Sequence, residues 1–269
     1  MYVEYYGLRE PPFNVTPDPK FLYMTDGHRT ALNHLLFGIQ QRKGFVLLTG
    51  EVGTGKTTLC RRLLETLGAD CHTALILNPM LTGTQLLRAV VQEFGIGGGG
   101  RDRLTCMTVL NSFLLSAGEA GRDAVLIVDE AQDMSIQALE MTRLLSNLET
   151  DSRKLLQIVL AGQPELRAKL RTPGLRQLAQ RISVRHHLLP ISREETAGYL
   201  RHRLAVAGGG ESVRFEDEAI DAVHEYSGGT PRLVNSICDK SLLAGYVEQT
   251  AVIGAHLVRT AVRDLREAA

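Results

Sequence analysis

Residues 50–58 read GEVGTGKTT and match the pattern G-x-x-x-x-G-K-[ST] at Gly50, Gly55, Lys56 and Thr57. A loop of this type binds phosphate. Its glycines allow successive backbone N–H groups to turn toward anionic oxygens, and a helix that starts behind it adds the partial positive charge of its N-terminus. Lys56 is the residue to reach the β- and γ-phosphates, and Thr57 the one to ligate Mg²⁺. Val52, Gly53, Thr54 and Thr58 complete the cradle. The ligands implied are ATP and Mg²⁺.

Four further positions carry chemistry. The stretch AVLIVDEAQD (124–133) ends an apolar run in acids. Asp129 is placed to hold the Mg²⁺ shell. Glu130, directly after it, can polarise a water for attack on the γ-phosphate, which favours hydrolysis over transfer to a second substrate. Gln163, in LAGQPEL, offers an amide that could orient that water. Arg232, in SGGTPRLVN, breaks a local rule: Thr230 is a good N-cap and Pro231 a good first helical residue, so Arg232 falls in a first turn whose dipole it opposes. A misplaced charge at a well-capped helix start suggests a functional partner, here the γ-phosphate. Arg181 stands just before the last apolar run, where it could reach the nucleotide of a neighbouring subunit. Arg176 and Arg185 beside it read as a solvated basic face.

These residues need a frame. GFVLLT (44–49) and LCRRLLETL (59–67) flank the glycine loop as strand and helix, the context the motif requires. TALILN (73–78) and AVLIVDEAQD (124–133) read as buried strands, KLLQIVLAG (154–162) and ISVRHHLLPI (182–191) as a fourth and a fifth, with helices between them at 3.6-residue spacing. Strands alternating with helices predict a parallel five-stranded α/β sheet, with ligand at the carboxyl ends of the strands. From Ser192 only helices are predicted, beginning with the capping box Ser192-x-x-Glu195. The domains expected are an N-terminal arm over 1–25 that packs on the nucleotide site, an α/β core over 26–189 and a small helical lid over 190–269. Within the arm, Phe13, Pro17 and Phe21 are candidates for a wall against an adenine ring; a plain strap over the core is the alternative.

Composition narrows the class. Lys+Arg and Asp+Glu both number 30 in 269 residues, so the net charge is zero, which gives no signature of a dedicated nucleic-acid binder. Cys60, Cys71, Cys106 and Cys238 lack C-x-x-C spacing and suggest reduced thiols in the cytoplasm. His186 and His187 are neighbours in a strand and face opposite ways, which argues against a shared metal. No apolar run approaches the ~20 residues of a membrane span, and the first residues lack the apolar segment of a signal peptide.

Taken together, the glycine loop, VLIVDE, a polar residue after the fourth strand, a late arginine and GGTPR in a helical lid resemble the AAA+ ATPases. The stretches YYGLREPPFNVTPDPKFLY, GFVLLTGEVGTGKTTLCRRLLE, RLLSNLETDSRKLLQIVLAGQPEL and SGGTPRLVNSICDKSLL resemble the ExeA-type ATPases, the general secretion pathway protein A family. The resemblance implies an AAA+ P-loop NTPase fold whose Gln163 strand lies between the P-loop strand and the Asp129 strand. It implies sensor 1 for Gln163, an arginine finger for Arg181 and sensor 2 for Arg232. Members of this family help secretins or pilus machinery assemble in bacterial envelopes. The partners implied are further copies of this chain, in a ring or helical oligomer, and an envelope-complex protein, with a cytoplasmic location that touches the inner membrane only through such a partner. Larger members add a membrane span and a peptidoglycan-binding domain after the ATPase; the given residues hold neither, so the expectation is either a short member or a chain whose remainder is missing. The TniB-like and TnsC-like transposition regulators share much of the motif set and supply the alternative of a nucleotide-gated DNA-binding scaffold.

Overall fold

A computed structural model describes residues 1–267 except Pro17, Gly99, Arg101, Asp151, Ser152 and Glu211. Pro17, one of the adenine-wall candidates, therefore lies outside the described residues. The chain folds as two compact units, one of His28–Glu51 and Leu59–Leu188, the other of Met1–Gly27, Val52–Thr58 and Leu189–Ala269.

The first unit is built on a parallel sheet of β1 (Phe45–Gly50), β2 (Cys71–Ile76), β3 (Asp123–Val128), β4 (Leu156–Gly162) and β5 (Ile182–Leu188). The strand order is β2-β3-β4-β1-β5, so the strand leading to Gln163 does lie between the P-loop strand and the Asp129 strand. Every residue of β1 and β4 is buried. Alternate side chains enter two apolar clusters: Leu47, Leu126 and Ile158 join one, and Val46, Val125 and Val159 the other. Strands covered on both faces need continuous apolar runs, which β1, β3 and β4 provide; the edge strands β2 and β5 are only partly buried. Helices Gly83–Glu93, Arg103–Glu119 and Ile136–Leu145 cover one face through Leu86, Leu110 and Leu139, while Leu35 and Leu63 cover the other. The start of Ile136–Leu145 is capped as expected, with Ser135 accepting from the Ala138 N–H.

The second unit holds helices Arg193–Val206, Asp217–Ser227, Pro231–Val247 and Ala255–Glu267. The capping box at Ser192 and Glu195 is formed in both directions. The unit departs from the all-helical expectation by a parallel pair, β6 (Arg214–Phe215) and β7 (Val252–Ile253). Two-residue strands are too short to leave a period-2 signal.

The N-terminal arm belongs to this unit. Tyr6, Leu8, Phe13 and Phe21 are buried in one cluster with Leu200, Val234 and Leu242. Arg203 organises the contact: buried itself, it donates to the carbonyls of Pro12 and Asn14 and to the Tyr199 hydroxyl, and its guanidinium lies 4.7 Å from the Phe21 ring centre. A buried guanidinium is tolerated because its donors are satisfied. Phe13 packs edge-on against Phe215 at 6.1 Å. Protein groups of the helical unit thus pack against both phenylalanine rings considered for an adenine wall. Cys60, Cys71, Cys106 and Cys238 are free thiols, and all but Cys71 are buried. Among the described residues, no helix is long and apolar enough to cross a membrane.

Candidate functional site

The glycine loop leaves β1 at Gly50 and enters helix Lys56–Leu67. Gly53 and Gly55 hold φ values of +80° and +98°, which L side chains rarely adopt, so the loop requires glycine at both positions. Thr54 is fully buried and Lys56 is only 5% exposed, while Val52 stands half exposed. Thr57 and Thr58 occupy the first turn of the helix, whose N–H groups point along the axis toward the loop. A strand end, left-handed glycines and a helix start are the local parts that a phosphate cradle requires.

Gly53 also meets the GGTPR segment. A Cβ on it would come within 2.6 Å of the Arg232 Cβ and 3.2 Å of the Thr230 methyl. The Arg232 backbone N–H donates to the Gly53 carbonyl at 3.3 Å. Helix Pro231–Val247 begins as expected after Thr230 with proline in its first turn, but the Thr230 hydroxyl makes no capping bond. The loop carbonyl satisfies one of the first-turn donors instead, and the Thr230 methyl packs toward Gly53. The Arg232 side chain is exposed.

The acids stand at the end of β3. Val128 pairs with Leu160 and Thr49 with Gly162, so the chain leaves β3, β4 and β1 along one edge of the sheet. Asp129 is 2% exposed, and its Oδ1 accepts from the Glu130 N–H at 2.9 Å. Glu130 sits in the left-handed region at φ 49°, ψ 37°. For a glutamate this conformation costs on the order of 1 kcal/mol, and such outliers gather at functional sites. Glu130 Oε2 receives the Gln132 Nε2 at 2.8 Å and the Gln163 Nε2 at 3.4 Å. The structure therefore brings Asp129, Glu130 and Gln163 together, as the sequence suggested. It adds Gln132, which the motif AVLIVDEAQD contains but whose role no periodicity or spacing signals.

Arg181 is placed elsewhere. It ends helix Arg176–Arg181, next to the first residue of β5, and Ile182 pairs with Phe45 at the start of β1. Gly50 leaves the opposite end of β1, about 17 Å away for five steps of ~3.3 Å each. The Arg181 guanidinium donates to the Ser146 hydroxyl at 2.7 Å and the Asn147 amide oxygen at 2.5 Å. Arg185 donates to the carbonyls of Ala179 and Ile182. With Arg167, Arg171 and Arg176 it lines a pocket of about 500 Å³. Among the described residues no carboxylate pairs with these four arginines.

His186 and His187 have separate partners. His186 lies 5.0 Å from the His34 ring, with its pKa lowered chiefly by burial, and His187 Nδ1 stands 3.0 Å from Thr49 Oγ1.

Comparison with known proteins agrees with this geometry. Residues 39–170 match the model of the AAA domain family. The chain is 50% identical over 247 residues to general secretion pathway protein A of Aeromonas hydrophila, covering 91% of this chain and 45% of that protein. It thus spans less than half the length of that relative. Among solved structures, the Aeropyrum pernix ORC2 protein superposes with a TM-score of 0.69 at 16% identity, over 94% of this chain and 71% of that one. Cdc6p of Pyrobaculum aerophilum gives 0.68 at 16% identity, over 91% and 70%. The Thermotoga maritima RuvB Holliday junction branch migration motor gives 0.61 at 18% identity, over 88% and 69%. Identities this low speak for the fold alone.

Proposed function

We propose that this chain, an AAA+ P-loop protein related to general secretion pathway protein A, is a Mg²⁺-dependent ATPase that couples ATP binding and hydrolysis to conformational work in assembling a bacterial envelope secretion or pilus complex. The observation that carries the reading is the GEVGTGKTT loop itself, a strand-to-helix turn with left-handed Gly53 and Gly55 and a buried Lys56. Gly50 to Thr58 bind the phosphates. Glu130 takes a proton from water as its oxygen attacks the γ-phosphorus, and the bond from that phosphorus to the bridging oxygen breaks to leave ADP and phosphate. Gln163 steadies the attacking water. Thr57 and Asp129 offer a hydroxyl and a carboxylate, oxygen donors suited to a hard cation, and Mg²⁺ bound there would offset phosphate charge. The free thiols accord with a cytoplasmic location.

Arg232 reads the γ-phosphate in this scheme. Its backbone is already bonded to Gly53 O, so its exposed side chain starts beside the cradle. A hydrogen bond between two charged groups is worth ~1.5–3 kcal/mol, or roughly 10- to 100-fold. Arg232→Ala is therefore expected to lower ATP affinity about tenfold or more while ADP affinity holds. Titration with both nucleotides checks this; an unchanged ATP-to-ADP ratio would remove Arg232 from the γ-phosphate.

A second reading, a nucleotide-gated DNA-binding scaffold, is favoured by one observation. In a chain of zero net charge, Arg167, Arg171, Arg176 and Arg185 converge on one pocket. Phosphate release with and without Mg²⁺, measured alongside duplex DNA binding at 50 and 200 mM salt, separates the two. The motor reading expects Mg²⁺-dependent release and no appreciable duplex binding at either salt. The scaffold reading expects affinity that falls steeply with salt, and a shallower slope in an Arg171→Glu, Arg176→Glu double variant.

A further inference from the structure

The Gln132 amide is engaged at both ends. Its Oε1 accepts from the Gln163 backbone N–H at 3.0 Å. A backbone N–H can only donate, so the atom facing it is the carbonyl oxygen and the amino group is turned the other way. That amino group donates to Glu130 Oε2 at 2.8 Å and to Asp133 Oδ2 at 3.2 Å. The backbone of this turn is pinned as well, because Lys169 Nζ donates to the carbonyls of Gln132 and of Met134. Gln163 adds its own side-chain amide to Glu130 Oε2. Both amides thus hold one oxygen of the carboxylate, and Oε1 receives neither of them.

Space for this arrangement comes from Gly162. A Cβ there would lie 2.9 Å from Gln132 Oε1, 2.9 Å from Leu166 Cδ2 and 3.3 Å from the Gln132 backbone nitrogen. Leu166 is fully buried, whereas the Gln132 amide is the far end of a flexible side chain. An added methyl would press on the amide and on Leu166 alike.

We infer that Gln132 is the positioning residue for Glu130: it grips Oε2 so that Oε1 faces the attacking water, and Gly162 is glycine because that grip requires the gap. The inference rests on the reading of Glu130 as the base. Gln132 itself touches no substrate, so its loss should lower kcat and spare nucleotide affinity.

The test uses the whole chain with Gln132→Glu, Gly162→Ala and Glu130→Gln, reading kcat at saturating ATP and ATP affinity separately. Gln132→Glu keeps the shape and the acceptor for Gln163 N–H but sets a carboxylate where Glu130 needs a donor. It is expected to lose about 100-fold in kcat, within the range general-base catalysis supplies, with affinity within about threefold of wild type. Gly162→Ala leaves all the polar groups in place and is expected to lose about tenfold in the same direction. Should Gln132→Glu not fold, as judged by its thermal transition, Gly162→Ala alone decides. A wild-type kcat in either folded variant, or affinity that falls in step with kcat, overturns the inference while Glu130→Gln remains inactive. Wild-type turnover by Glu130→Gln would instead overturn the assignment of the base, and this inference with it.

Discussion

Lys56→Ala is expected to bind ATP about 100-fold more weakly, and Glu130→Gln to bind it as wild type does while turnover falls about 1000-fold. The two effects differ because the two side chains act at different moments. Lys56 starts the helix behind the glycine loop and is 5% exposed. In the proposed reading its ammonium would be a charge-assisted donor to phosphate in the ground state and in the transition state alike, so its removal should appear in affinity. Hydrogen bonds of this kind are worth ~1.5–3 kcal/mol each, and a lysine serving two phosphates reaches the hundredfold level. Glu130 is needed only once water attacks. Glutamine keeps its length and an oxygen but cannot take the proton, so the loss falls on kcat, within the ~10²–10⁴-fold of general-base catalysis. Nucleotide titration and single-turnover phosphate release on the same preparations separate the effects. Turnover at the wild-type rate by Glu130→Gln would remove it as the base.

Arg181→Ala is expected to abolish a rise of specific activity with protein concentration, with ATP binding unaffected. Arg181 stands beside the start of β1, whereas Gly50 leaves the far end of that strand, about 17 Å along it. We propose that it serves the nucleotide of a neighbouring copy. Contacts of that kind are head-to-tail and close into rings or continue as helices. An arginine acting in trans is worth ~10³–10⁵ in rate, so an isolated chain should be nearly idle. Its guanidinium is held here by Ser146 and Asn147, and engagement of a neighbour's phosphate would exchange at least one of these bonds. Mixing Arg181→Ala with Glu130→Gln should restore part of the activity, since one class of mixed interface joins an intact Arg181 to an intact Glu130. Flat specific activity over a hundredfold dilution of wild type, with no rescue on mixing, would show that the finger does not act in trans.

Some of this molecule could be read directly from neighbouring residues. GEVGTGKTT requires only a strand before it and a helix after it, and both are encoded within about ten residues on either side. The central strands were legible because burial on both faces demands unbroken apolar runs such as VLIV and QIVLAG. The caps at Ser135 and Ser192 are local chemistry over three residues. The one cap misread, at Thr230, failed because a partner 177 positions earlier in the chain, the Gly53 carbonyl, satisfies the helix start instead.

What the tertiary structure alone decided depends on pairs far apart in the chain. A quiet amide, Gln132, becomes the link between Glu130 and Gln163 only because β3 and β4 are neighbours in register and Gly162 leaves a gap beside them. Phe13 and Phe21 looked free to wall a nucleotide until Phe215 and Arg203 were seen to occupy them. Arg181 could be placed near the last strand from sequence, but the end of the sheet it occupies follows from the pairing of Ile182 with Phe45. Hydrophobic period reports which face of an element is buried. It carries no record of which distant side chain meets that element, and that pairing is what joins Glu130 to Gln163 and sets Arg181 beside the start of β1.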